Sequence, residues 1–472
     1  MMKKTIRLLP LAAALILAGC VNLAPDHERP AAPVEQSWPQ GEAYEGAALR
    51  QQALPGWQEF FTNAKLRQVI EFGLAGNRDL RVAALNVEKT RAMYNVQRSE
   101  LFPTVAAGAA NAAKHNPASV AGRSATAHTY TAQLAMASYE IDFFGRIRNL
   151  NEQALQAYLA TDDARRTLKN SLIAEIAMVW LSLGADQTQL ELQKETLKSQ
   201  EESFRLITES YRLGAASRFD YEQARTTVAA ARAQIASYIR AVAQDRNALN
   251  LLCGGTVPEE LLPTGLVSGV TQTAALPAGL PSEVLLNRPD IMASERDLIS
   301  AEANIGVARA AFFPSVSLTA GTGSTAMHLS DLFDAHTGFW NFTPSINLPI
   351  FTGGRNVATL EAAKVGQRIA VANYEKTIQS AFREVADALA TEGTMDRELS
   401  ARREYAEAAA KAYELADVSY KAGAVSYNDV LTSQRAMVGA RQALISTELA
   451  RTASVVTLYK VLGGGASEVV QE

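Results

Sequence analysis

Cysteine, histidine and any imbalance of charge are scarce in this chain, and each scarcity removes a class of function. Only 2 of the 472 residues are cysteine, so neither a disulfide framework nor a four-cysteine zinc site can be built. The 5 histidines are scattered and show no HExxH or comparable metal spacing. Lysine and arginine number 45 against 49 aspartate and glutamate, a net charge of −4, so the basic footprint of a nucleic-acid binder is missing. Paired acids such as Asp162-Asp163 and Glu201-Glu202 fall in helical stretches, where a solvated face is their usual meaning. Gly321 and Gly323 are not followed by the helix a phosphate loop needs, and they read as a surface turn. Nothing converges on the enclosed pocket of an enzyme. No catalytic residue, cofactor or metal site is expected.

What the chain does have begins at its start. Lys3, Lys4 and Arg7 precede an apolar run, Leu8 to Ala18, that is too short to cross a bilayer. Leu17-Ala18-Gly19-Cys20 then resembles a bacterial lipobox, in which the thiol of Cys20 is acylated and becomes the first mature residue. Val21 stands where an aspartate would mark retention at the inner membrane, so sorting to the outer membrane is implied. One acylated terminus anchors a protein without spanning anything. Cys253 ends an apolar helical stretch and reads as a small core residue.

The chain also repeats itself. At an offset of 209, Gly145-Arg146 returns as Gly354-Arg355, and Gly214-Ala215, Ser217 and Asp220 return as Gly423-Ala424, Ser426 and Asp429. Upstream the offset is 211, where Phe102-Pro103 and Val105 match Phe313-Pro314 and Val316. Two copies of one unit follow, 61–265 and 266–465, after a leader at 1–19 and an acylated segment at 20–60, with a tail at 466–472.

Proline is absent from 118 to 257 and from 350 to the end. Inside those gaps Arg146–Leu213 and Arg355–Ala422 carry apolar residues at spacings of three, four and seven. A helix of that length is about 100 Å long, which no compact globule needs. Gly214 and Gly423 end these helices and reverse the chain into antiparallel hairpins.

Period-two segments lie between the helices. Trp340, Phe342, Ile346 and Leu348 alternate with Asn341, Thr343, Ser345 and Asn347, and Tyr130, Ala132, Leu134 and Met136 alternate with Thr129, Thr131 and Gln133. An apolar face against an uncharged polar face suits a barrel strand with lipid outside and water inside. Four strands are predicted, at about 103–115, 128–143, 314–325 and 339–351. Four cannot close a barrel, and an open edge in lipid leaves amides unsatisfied, so an oligomer of two, three or four chains is required.

The lipobox, the helices ending in Phe-Pro, Ala310-Ala311-Phe312-Phe313-Pro314, Leu348-Pro349-Ile350-Phe351, Phe382-Arg383-Glu384-Val385-Ala386-Asp387-Ala388-Leu389 and the closing Leu462-Gly463-Gly464-Gly465 resemble the TolC-like outer-membrane factors. The match is closest to their acylated OprM-type and CusC-type efflux lipoproteins. The resemblance implies an α+β membrane protein, with a periplasmic α-barrel of long antiparallel helices under a twelve-stranded transmembrane β-barrel shared by a homotrimer. It implies the exit duct of a tripartite efflux system, set in outer-membrane lipid and working with a periplasmic membrane-fusion adaptor and an inner-membrane pump of RND type. It places adaptor contacts at Gly214, Ala215, Ser217, Gly423, Ala424 and Ser426. It also assigns a periplasmic gate to Asp417 and Tyr413. Arg212 and Lys421, near the same turns in the sequence, are the candidate cations for a charge-assisted bond that holds such carboxylates. The first copy has Thr208 where the second has Asp417, so a symmetric assembly carries one ring of carboxylates there. A non-conducting periplasmic scaffold lipoprotein is the alternative reading.

Overall fold

The computed structural model describes residues 21–45, 54–117, 125–272 and 285–464. Cys20 lies outside the described residues, as does most of the first strand-connecting loop. Short turns apart, the chain runs α1 (Ala64–Gly76), α2 (Arg78–Ser99), β1 (Val105–Asn116), β2 (Ala125–Ile141), α3 (Arg146–Arg212) and α4 (Arg218–Cys253). The second copy gives α5 (Pro289–Ala310), β3 (Ser315–Ala326), β4 (Gly338–Asn347), α6 (Arg355–Lys421) and α7 (Tyr427–Val461). Helices α3 and α6 are 67 residues each, which is about 100 Å of helix. The fold is α+β.

The chain forms two compact units that cut across the sequence repeat. The first holds residues 1–31, 86–162 and 293–374, and the second holds 32–85, 163–292 and 375–472. Each therefore takes segments from both copies. In the second unit the core is built from α1, α3, α4, α6 and α7. Phe60 and Tyr459 stack there at 3.9 Å, and the fully buried Trp180 donates its indole N–H to the carbonyl of Leu261 at 3.0 Å. Cys253 is fully buried, and burial pushes its thiol up to about 11. Arg288, 8% exposed, is held by Asp290, Glu384 and the carbonyl of Val461.

The first unit carries a four-stranded antiparallel sheet in the order β1-β2-β3-β4. The seam between copies is the β2–β3 pair. Its register explains the alternation of the sequence. Val316, Leu318 and Ala320 face Ile346, Pro344 and Phe342, while Ser315, Ser317 and Thr319 face Asn347, Ser345 and Thr343. Directly paired residues share a face of the sheet, so one face is apolar and the other polar. Trp340 is 78% exposed, Phe342 60% and Ile346 72%, so nothing among the described residues covers the apolar face.

A bulge between Met136 and Tyr139 keeps that face intact along β2. Below it Tyr139 and Ile141 face Leu318 and Val316, whereas above it Leu134 and Met136 face Thr322 and Ala320. One extra residue, Ser138 at φ 41°, shifts the parity so that odd-numbered apolar positions replace even-numbered ones. Gly321 and Gly323 are interior residues of β3, not a turn as their composition implied. A Cβ on Gly323 would lie 2.2 Å from the carbonyl oxygen of Ala132, so close pairing with β2 requires glycine. Strand β4 ends at Asn347, ahead of the predicted limit, because Pro349 cannot donate to a ladder.

Candidate functional site

The turns that end the two long helices share one backbone solution. After α3, Ala215 donates to the carbonyl of Ser210 at 2.8 Å and Gly214 to that of Tyr211 at 3.0 Å. After α6, Ala424 donates to Ser419 and Gly423 to Tyr420, both at 2.9 Å. This double closure needs a left-handed residue, and Gly214 and Gly423 supply it at φ +77° and +76°. The next helices are capped alike. Ser217 and Ser426 each accept the amide of the residue three ahead, and Asp220 and Asp429 each return a bond to the serine's own amide. Those bonds hold the Asp429 carboxyl below its ordinary range.

Around these turns the gate residues separate into two groups. Lys421 Nζ contacts Asp417 Oδ2 at 2.6 Å, an i,i+4 pair on a single helix, and the contact raises the lysine's affinity for its proton. Arg212 bonds Glu209 at 2.9 Å on its own helix instead. Within the chain, neither cation crosses from one hairpin to the other. Lys421 thus holds the Asp417 carboxylate within one helix, while Arg212 takes the carboxylate one turn back along its own.

Tyr413 does cross. Its hydroxyl lies 3.4 Å from Ser199 Oγ on α3 and 3.4 Å from Gln434 Nε2 on α7, and Gln434 itself reaches Ser199 at 3.3 Å. Gln434 is 4% exposed. Three helices thus meet in one hydrogen-bonded knot, beside a cleft of about 560 Å³ that the same residues line with Glu195 and Arg441.

Closer to the turns the hairpins are joined by apolar packing. Ile207 of α3, Ala224 of α4 and Tyr427 and Leu431 of α7 form a buried cluster, with Phe204, Tyr221 and Tyr420 against it. Tyr420 and Tyr427 have ring centroids 5.6 Å apart, and Tyr211 stacks on Tyr221 at 5.4 Å. Burial pushes the Tyr427 hydroxyl up to about 12. Sequence reading missed this cluster. The available signal was divergence between the copies: at the 209 offset Tyr427 faces Arg218, Leu431 faces Glu222 and Gln434 faces Arg225.

An uncovered apolar sheet face, two strand edges without a partner among the described residues and two 67-residue helices are the parts of a membrane duct, and known proteins have the same parts. The outer membrane efflux protein family matches residues 69–255 and again 280–464. The chain belongs to that family. Among its relatives is a protein named as the probable efflux pump outer membrane protein TtgC of Pseudomonas putida, 45% identical over 456 residues, covering 96% of this chain and 94% of that one. Another is the cation efflux system protein CusC of Escherichia coli O6:H1, 40% identical over 463 residues, covering 97% and 98%. A crystal structure of a membrane protein from Pseudomonas aeruginosa superimposes with a TM-score of 0.88 at 38% identity, covering 94% and 98%. This family member is an outer-membrane efflux channel with its helical portion in the periplasm. The two family matches fall on the two halves of the internal repeat.

Proposed function

We propose that three copies of this chain close a twelve-stranded barrel, and that the resulting duct is gated at the periplasmic turns. The observation that carries this reading is the sheet itself. Its outer strands β1 and β4 have no further strand partner among the described residues, and its apolar face is exposed. In lipid such edges must pair with another copy, because nothing else can satisfy their amides. In the trimer three Asp417–Lys421 pairs ring the axis, and Tyr413 holds the helix that bears them. The Ser217 and Ser426 turns, with Gly214, Ala215, Gly423 and Ala424, receive a periplasmic adaptor that connects the duct to an inner-membrane pump of RND type. Cys20 carries the lipid anchor. The duct conducts passively and catalyses nothing.

Discrete current steps across a planar bilayer, together with a native mass of three chains, test the proposal. A membrane-inserted monomer would refute it. A trimer without conductance would leave the scaffold reading in its place.

A further inference from the structure

Along β2 the uncovered face of the sheet reads Ile141, Tyr139, Met136, Leu134, Ala132 and Tyr130. On β3 the residues facing this column run from Val316 to Ala326. At about 3.3 Å per residue that is about 33 Å of strand, and a tilt of about 40° reduces it to about 25 Å of height, the depth of a barrel's apolar band. Helix α2 enters the sheet at Val105 and α3 leaves it after Ile141, so the helices attach at the Ile141 end. Tyr130 therefore marks the outer limit of the band.

The first hairpin continues beyond that limit. His128 and Thr126 follow Tyr130 on the same face of β2, and His115 faces Thr126 from β1. All three are exposed. The His128 ring stacks on Tyr130 with centroids 6.2 Å apart, and His115 Nδ1 lies 2.9 Å from Thr126 Oγ1. A hydrocarbon-facing column thus gives way, within one strand, to imidazole and hydroxyl groups that donate hydrogen bonds.

Charge separates the two hairpins. Residues 105–139 contain Lys114 and Arg123 and no aspartate or glutamate, whereas 315–347 contain Asp331 and Asp334 and no lysine or arginine. The acid next in sequence, Glu140, lies at the base of the sheet and pairs with Arg146. Both cations and both histidines of the first hairpin fall between 114 and 128, at its outer end, and Lys114 is exposed beside His115. A basic, donor-rich rim directly above an apolar column lies at the level where headgroup phosphates begin, and charge-assisted bonds to phosphate are the strong ones.

We propose that the outer end of the first hairpin binds the phosphate of an outer-leaflet lipid whose acyl chains lie along the column from Tyr130 to Ile141. The seat rests on the barrel reading above, because a closed barrel is what sets this face against lipid. His115 and His128 donate to the phosphate oxygens, and Lys114 adds positive charge at the rim. The second hairpin carries two carboxylates at its tip and repels the same headgroup, so each chain offers one seat.

The test is native mass spectrometry of the full chain in detergent, titrated with phosphorylated lipid A or with the same lipid freed of its phosphates. The intact trimer should retain the phosphorylated form several-fold better. The triple variant Lys114→Gln, His115→Gln, His128→Gln should lose most of that excess, whereas Lys364→Gln, which removes an exposed lysine from α6, should keep it. Equal retention of the two lipids would overturn the phosphate assignment. Unchanged retention by the triple variant, or an equal loss in Lys364→Gln, would overturn the site. Full displacement by inorganic phosphate would make the tip a simple anion site and overturn its assignment to lipid. A spectrum of single chains alone would refute the barrel reading, and the seat with it.

Discussion

Replacing Leu431 by alanine tests whether apolar packing, more than charge, holds the two helix turns together. Leu431 is 2% exposed, and it packs with Ile207, Ala224 and Tyr427 from two other helices and its own. Truncating a buried leucine costs about 2–5 kcal/mol, depending on how far the site collapses. Only seven side chains make up this cluster and its surround, so few neighbours are available to refill the space, and the middle of that range applies. The cluster lies at helix ends, where opening is local. The change should therefore appear first as fraying of the turns, and even about 2 kcal/mol shifts an open-to-closed ratio some 30-fold. Amide hydrogen exchange should rise from Leu206 to Gly214 and from Tyr420 to Val430, and channel current should increase without a partner protein. Leu249→Ala, which truncates a fully buried leucine elsewhere in the second unit, should lower overall stability without that local signature. If the two variants gave the same exchange profile, the cluster would be an ordinary piece of core, and the reasoning would fail.

Asp417→Ala should release Lys421 and raise single-channel conductance, whereas Ser203→Ala, whose hydroxyl bonds only the carbonyl of Ser199, should change it little; equal conductances would remove Asp417 from the gate. Ser217→Ala and Ser426→Ala should each cost about 1 kcal/mol, read as faster exchange in the first turn of α4 or α7 and nowhere else. Gly323→Val should abolish heat-resistant trimers on a gel, because its side chain meets the Ala132 carbonyl; normal trimer yield would show that β2 and β3 can separate there. Burial raises the Cys253 thiol from 9.0 to about 11, so unfolding releases its proton more readily than the native state does. Its burial is therefore neutral to stability below pH 9, and between pH 9 and 11 stability should fall more steeply in the wild type than in Cys253→Ala, where the buried Tyr427 still contributes a fall above its ordinary range.

The long elements were legible because their signals are local and many residues long. Proline-free stretches and apolar spacing set α3 and α6 to within a residue, since every turn of a packed helix repeats the same demand. The faces of β4 were legible for the same reason. What remained hidden was set by contacts between distant segments. Nothing local marks His27 and Arg29 as tied to the second copy, because their partners Glu302 and Glu295 stand 275 and 266 residues away. The bulge at Ser138 adds one residue without altering composition, so only the register reveals it. The pairing of Arg212 with Glu209 was readable in principle from an i,i+3 spacing, but a charged residue beside a turn does not declare which neighbour it will take.

The place of β2 beside β3 has a consequence for how such a duct can arise and assemble. That pair joins the second strand of one copy to the first strand of the other with the same antiparallel geometry used throughout the sheet. A single copy would bring only two strands and would have to find every neighbour by diffusion. Duplication in one polypeptide makes every second seam intramolecular, where the tether sets a high effective concentration and pairing no longer depends on how much protein is present. The duplicated chain thus halves the number of encounters a closing ring must wait for. It also frees the two copies to diverge, which is how the second came to carry Asp417 where the first has Thr208.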